Sequence, residues 1–492
     1  MVSAEKWSDE KFNHMRKEVL GSWPTGAEVD IEDGIAYHKQ FMQERNCAKR
    51  LARARAEGDT LIQPRSGVSP LSACLELLSF LQDEGLCDIS STSVDSYTRG
   101  NRYEAAEEAY KKSEADNHSY LNGLPVCNVG VKKLRTLVEA LKNPMELRTS
   151  SADARLSAEV SLAAGYSAFI HGQVCTTIHY NQGISLTQAT EYYQYIFRLM
   201  GKYCEAGVPI CADVFGTFSN VGVPQSFIFA NVVVEALTAA AQGIKDIMVN
   251  VIMQGNIIQD IAGTQVLRGL VEEYLEKLGY GDVNIYVVAN QWTGPYPPEH
   301  AAAYAIDAMN TFSAVIGGAD TMMIKAVDQG LALPTKENNA AGLRFTRRMI
   351  DYLKRQQIKF SSERLETERY FILKEAKQLV DFMLKIGDGD LVAGCVKAYD
   401  DLILESPFSS NKNYNHSKVM CARDKYGACR YLEFGDLPFT KDIKEFHRAC
   451  LKERIDSEGY QDEEVRLISD SILALSRYTI SFWGSTLMVI SF

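Results

Sequence analysis

Leu61-Ile-Gln-Pro-Arg-Ser-Gly67 is a short extended run that stops on an arginine followed by small residues, and two later segments repeat its logic. They are Ser93-Val-Asp-Ser-Tyr-Thr-Arg-Gly100 and Met145-Glu-Leu-Arg-Thr-Ser150, with helical stretches lying between. If the three runs are parallel strands, Arg65, Arg99 and Arg148 sit at the carboxyl end of one sheet, where such folds place their chemistry. Three convergent guanidiniums in an acidic chain call for a carboxylate-rich ligand, because guanidinium grips carboxylate in a two-pronged, charge-assisted fork. The competing reading is three unrelated arginines, each paired with a nearby Asp or Glu.

Outward from that stretch the pattern continues. Candidate strands are 60–64, 88–94, 124–128, 144–148, 167–171, 208–214, 246–252, 284–290 and 321–325. Amphipathic helical stretches lie between them, at 71–83, 101–115, 131–141, 152–164, 186–205, 227–242, 263–278 and 298–315. Repeated β-α alternation predicts an α/β fold, and eight repeats closing on themselves give a (β/α)₈ barrel. Nine candidates are one too many, and 124–128 is the one to discard. The expected organisation is an N-terminal helical arm over 1–57, ending at the C-cap glycine Gly58, and a barrel over 58–345. A helical region and C-terminal extension then fill 346–492, where the strand signal disappears, 343–384 reads as one long helical region and 401–440 reads as loop. The apolar stretch 472–492 carries Arg477 and several hydroxyl residues, and reads as a packed helix or strand rather than a membrane span.

Bulk properties narrow the function. The 492 residues are too many for one small core. A net charge of −11 argues against general nucleic-acid binding. Eleven cysteines without a C-x-x-C pair read as a reduced, intracellular protein, and the N-terminus has no apolar signal region, which makes the expected location cytoplasmic. Dinucleotide, P-loop, zinc-protease and nucleophile-elbow motifs are all missing, so no metal site is expected.

Several segments nonetheless carry a specific resemblance. Gln63-Pro-Arg-Ser-Gly-Val68, Asp95-Ser-Tyr-Thr-Arg-Gly-Asn-Arg-Tyr103, Asp153-Ala-Arg-Leu156, Gly255-Asn-Ile-Ile-Gln-Asp-Ile-Ala262, Pro334-Thr-Lys-Glu-Asn338 and Arg430-Tyr-Leu-Glu-Phe-Gly435 resemble the large (epsilon) subunit of the glutamate mutase, or methylaspartate mutase, family. The resemblance runs from about Trp23 to about Arg454. It implies a TIM barrel holding substrate in its lumen, and adenosylcobalamin shared with a small partner subunit that carries D-x-H-x-x-G. It also implies a homodimer of this chain within a heterotetramer. The nearest segment here, Asp116-Asn-His-Ser-Tyr-Leu121, lacks the glycine, so the partner is required.

By the same resemblance, Arg65, Arg99 and Arg148 fall on the family's substrate-gripping arginines, and Tyr180 on a substrate tyrosine. Phe215 falls on an aromatic wall residue and Lys325 on a lysine at the adenosyl group. Other positions depart. The family glutamate that holds the substrate ammonium falls on Ile170, the adjoining glycine-rich stretch becomes His171-Gly-Gln173, and a substrate-facing tyrosine becomes Thr176. A glutamate at the adenosyl ribose becomes Gln329, while a histidine and a methionine at the barrel mouth become Asn290 and Thr293. The resemblance therefore implies a mutase interconverting L-glutamate and 3-methylaspartate or a close dicarboxylate analogue. Either His171 or Asp213 takes over the ammonium, or the substrate differs on the amine side. A catalytically degenerate barrel that serves as a scaffold for a cobalamin protein is the alternative.

Overall fold

Strands buried on both faces need no polar alternation, which is why most of the barrel runs stand out in sequence as short apolar segments. The computed structural model describes residues 2–179, 181–217, 221–329, 334–461 and 463–475. Eight parallel strands run β1 Leu61–Pro64, β2 Ser90–Ser93, β3 Met145–Arg148, β4 Ala168–Ile170, β5 Cys211–Val214, β6 Asp246–Ile252, β7 Asn284–Asn290 and β8 Thr321–Ile324. Their order is β1-β8-β7-β6-β5-β4-β3-β2, the succession of a (β/α)₈ barrel.

The seam between β1 and β2 is closed differently from the ladders. Pro64 has no N–H to donate, and hydroxyls take part instead: Ser91 Oγ donates to the Pro64 carbonyl at 2.6 Å and Ser66 Oγ to the Ser91 carbonyl at 2.6 Å. Backbone bonds from Asp88 N–H to the Ile62 carbonyl (2.9 Å) and from Ser93 N–H to the Ser66 carbonyl (2.8 Å) complete the join. The serine-rich composition of β2 is thus a closure device.

The candidate set aside is indeed no barrel stave, and two other sequence expectations are corrected. The run 124–128 makes a single parallel bridge, Val94 with Leu124, and then becomes the start of helix Val126–Ala140. Pro125 cannot extend a ladder, and Val131, Leu134 and Val138 recur at helical spacing on the buried side. Gly130, at φ +78°, joins the two pieces of that helix. The segment after β2 is not extended to Arg99. Asp95 accepts the N–H groups of Tyr97 and Thr98 and starts a one-turn helix, Ser96–Arg99.

The region beyond Pro334 also differs from its reading. The stretch 343–384 belongs to two helices, Lys336–Gln356 and Glu363–Ile386, divided at Gln357 with φ +49°. The region also holds an antiparallel hairpin, β9 Val419–Arg423 and β10 Cys429–Phe434. The hairpin hides in sequence because its buried face carries charge. Arg430 is buried between Glu368 and Asp424, which breaks the apolar alternation of β10.

One end of the barrel is plugged. Helix Cys47–Glu57 crosses the amino ends of the strands. Cys47 N–H donates to Ser167 Oγ (2.9 Å), Asn46 to the Pro209 carbonyl (2.7 Å), Arg50 to Asp88 (2.6 Å) and Arg55 to Asp320 (3.0 Å). Each of those partners immediately precedes, or lies within two residues of, a barrel strand. Chemistry is left to the carboxyl end. No helix among the described residues is long and apolar enough to cross a membrane, and of the apolar stretch 472–492, residues 476–492 lie outside the described residues.

Candidate active site

The carboxyl ends of β1, β2 and β3 deliver three cations to one neighbourhood. Arg65 follows β1, Arg148 is the last residue of β3, and Arg99 ends the short helix after β2, its Nε donating to the Val94 carbonyl at 2.8 Å. Their common neighbour is His171, directly after β4. This imidazole is buried, and its pKa is pushed well below the ordinary value, first by burial and then by the positive potential of Arg148, Arg99 and Arg65. Ser150 N–H donates to His171 Nδ1 at 3.0 Å, which selects the neutral tautomer protonated on Nε2. The backbone of His171 is held at φ +95°, a conformation ordinarily left to glycine, and its ring packs edge-on to Phe215 at 5.5 Å.

Ladder register shows what else faces the arginines. Arg148 pairs with Ile170 and Ile170 with Asp213, so the three share the lumen face of β3, β4 and β5. Below Arg148, Glu146 lies on the same face, its Oε2 3.4 Å from the guanidinium. Burial raises the pKa of Glu146, with Arg148 opposing; burial and then the charge of Glu146 raise that of Asp213 well above normal. Both carboxyls are thus pushed towards the protonated form, and Glu146 Oε1 and Asp213 Oδ2 have no hydrogen-bond partner among the described residues. Asn250 of β6 donates to Asp213 and accepts from Asn290 of β7 at 2.6 Å, which extends the polar row around the lumen.

The raised carboxyl pKa values make a test. Because both carboxyls have raised pKa values when folded, their stabilising contribution is full below the ordinary carboxylate range. It is lost as pH rises through the shifted values. Asp213→Asn keeps the shape and still accepts from Asn250, but does not ionise. It is expected to change stability little at pH 5 and to raise it relative to wild type at pH 9. Urea unfolding at the two pH values checks this; equal pH slopes in both proteins would refute the raised pKa values.

At the mouth beyond β7 and β8, Lys325 Nζ donates to the Gly294 carbonyl at 2.6 Å and lies 4.2 Å over the ring of Tyr296. Burial, then the charge of Arg65, pushes Lys325 down to about 8. Tyr296 donates to Asp307, whose carboxyl burial raises to about 7. The buried Oε1 of Gln329 has no hydrogen-bond partner among the described residues. Thr293 is half-buried in the loop after β7. Thr176 lies in the one-turn helix Gln173–Thr177, where its hydroxyl donates to the Gly172 carbonyl at 2.9 Å. Tyr180 lies outside the described residues.

The sequence profile described as "Methylaspartate mutase E chain" matches residues 41–480. The chain belongs to that family. Among relatives of the E chain, the glutamate mutase epsilon subunit of Desulfitobacterium hafniense is 39% identical over 95% of this chain and 96% of its own length. Those of Treponema denticola and Haloarcula marismortui are 38% and 37% identical, covering 96% and 97% of this chain and 98% and 96% of their own.

Sequence reasoning missed two groups in this E chain. Glu146 was readable, since it lies two residues before Arg148 in a strand and must share its face. Glu235 was also flagged by its setting, a lone carboxylate in the otherwise largely apolar helix Gln225–Ala241. Its carboxylate is wholly buried and accepts N–H groups from Cys175 (2.9 Å), Phe215 (3.1 Å) and Gly216 (2.9 Å). It thereby ties the segment after β4 to the segment after β5.

Proposed function

We propose that the chain is the catalytic large subunit of an adenosylcobalamin-dependent carbon-skeleton mutase, interconverting L-glutamate and 3-methylaspartate or a close dicarboxylate analogue. The observation that carries this reading is the convergence of Arg65, Arg99 and Arg148 on one neutral, buried imidazole at the open end of the barrel. Guanidinium forks fix two carboxylates, and with them the carbon skeleton between, so that a reactive intermediate rearranges without leaving. Water is kept out by the plugged amino end and by the buried wall of Ile170 and Phe215.

The mouth fits the cofactor. The Gln329 oxygen, without a partner among the described residues, would accept a hydroxyl hydrogen, as a ribose offers, and Lys325 and Asn290 bring donors to the carboxyl ends of β8 and β7. When bound, adenosylcobalamin supplies a carbon-centred radical by homolysis of its cobalt–carbon bond. The lower face of the cofactor is assigned to a small partner subunit carrying D-x-H-x-x-G, with two copies of this chain in the assembly. The scaffold alternative has less support, because near full-length relatives carry the enzyme's name.

The test combines the chain with the small subunit of a relative and adenosylcobalamin. The chain alone is expected to bind cobalamin weakly, the pair tightly, and a four- or five-carbon dicarboxylate to alter the cofactor's visible spectrum only in the complete mixture. Tight base-off binding by this chain alone, or a spectrum indifferent to every such dicarboxylate, would overturn the reading.

A further inference from the structure

Charge in the lumen bears on which dicarboxylate fits. Arg65, Arg99 and Arg148, placed at or just after the carboxyl ends of β1, β2 and β3, all act on His171 through their charge, and Ile170 stands in register between Arg148 and Asp213 on the lumen face. A ligand substituent that meets this wall meets a side chain with no charge and no hydrogen-bonding atom. Glu146 Oε2 faces Arg148 and Asp213 Oδ1 accepts from Asn250, while Glu146 Oε1 and Asp213 Oδ2 have no partner among the described residues. Burial raises the pKa of both carboxyls, and a protonated carboxyl is a poor partner for an ammonium.

His171 reports the potential at this place. The field that keeps a proton off the imidazole, added to burial, acts equally against any other cation brought to the same spot. An α-ammonium is such a cation. A ligand of charge −2 balances three forks better than one of net charge −1, and a hydroxyl or hydrogen in place of the ammonium removes the conflict. Ser150 N–H meanwhile occupies His171 Nδ1, so that nitrogen is not an acceptor for an ammonium proton. Of the two groups that could take over ammonium recognition, His171 has Nδ1 occupied, and Asp213 has one oxygen held by Asn250 and a raised pKa that disfavours its charged form.

We propose that the lumen selects a dicarboxylate that carries no ammonium group, a hydroxy- or alkyl-substituted dicarboxylic acid of four to five carbons, over the corresponding amino acid. This rests on the lumen being the substrate site of the proposed mutase. The probes are (S)-2-hydroxyglutarate and L-glutamate, which share skeleton and stereocentre and differ in a hydroxyl for an ammonium. Calorimetric titration of the full chain with each is expected to give at least tenfold tighter binding of the hydroxy acid. Ile170→Glu, which restores an anionic partner beside Arg148, is expected to move the ratio towards L-glutamate by about tenfold to a hundredfold.

Equal or tighter binding of L-glutamate by the wild-type chain would overturn the inference while leaving a dicarboxylate mutase in place. Failure of both probes to bind would overturn the dicarboxylate reading itself, and the inference with it. A folded Ile170→Glu variant with an unchanged ratio would show that residue 170 does not meet the substituent, and would overturn the placement. If that variant does not fold, the wild-type ratio alone decides.

Discussion

Arg148→Met is expected to lower the affinity of the lumen for a dicarboxylate by about a hundredfold to ten-thousandfold, the loss of two charge-assisted hydrogen bonds worth about 1.5–3 kcal/mol each. The side chain is buried at 6% exposure, so no solvent screens the loss. Removing one partner of a buried ion pair ordinarily costs about 3–5 kcal/mol of stability. Here the barrel has a way out, because burial raises the pKa of Glu146 and of the neighbouring Asp213. Without Arg148, Glu146 takes up a proton, and the fold survives at a smaller cost. The variant therefore separates binding from folding. Arg148→Lys keeps the charge without the fork and is expected to fall between, about tenfold below wild type. Titration with (S)-2-hydroxyglutarate measures both. An affinity for Arg148→Met within threefold of wild type would remove Arg148 from the binding site.

Arg148 also shows how much of this molecule is legible in its sequence. Most strands buried on both faces announce themselves as short apolar runs, the serine-rich β2 being legible by its place in the alternation instead, and a strand-end arginine can be read as a lumen residue from position alone. What hides is structure whose local signal is contradicted by a distant partner. The β9–β10 hairpin is masked because Arg430 is neutralised by Glu368, which lies 62 residues earlier in the chain. Run 124–128 misleads in the opposite sense: its apolar residues suit a strand, but Pro125 allows one bridge and then a helix. Within the site, the row Glu146–Asp213–Asn250–Asn290 is assembled from four strands, and no spacing in one dimension encodes it. The identity of Ile170 is visible in sequence. The conditions that make it matter, a His171 whose Nδ1 is occupied and an Asp213 held by Asn250, are tertiary.

Glu235 carries the second large effect, through backbone rather than ligand. Three N–H groups, of Cys175, Phe215 and Gly216, end on its two carboxylate oxygens inside a dry interior. Burial raises its pKa, and these same N–H groups oppose the rise by favouring the charged form. Glu235→Gln preserves size but turns one of the two acceptors into a donor. Whichever way the amide is placed, at least one buried N–H then faces an N–H. The expected cost is about 2–4 kcal/mol, the sum of one or two orphaned buried donors and a lost charge-assisted bond. The change also frees the segment that carries His171 and Thr176 from the one that carries Phe215, so dicarboxylate affinity is expected to fall although no residue at the lumen has changed. Gly172→Ala approaches the same contact from the other side. Its φ of −131° suits any residue, but a Cβ there would lie 2.3 Å from the Glu235 carboxyl carbon and push it off its donors. Urea unfolding and calorimetric titration of both variants test the link. If Glu235→Gln matches wild type in stability, the three N–H groups have other acceptors. If it loses stability but binds dicarboxylate as wild type does, Glu235 supports the fold without positioning the site. Parallel losses in both variants and both measurements are the expected result, because one buried carboxylate sets the distance between the two loops that form the lumen wall.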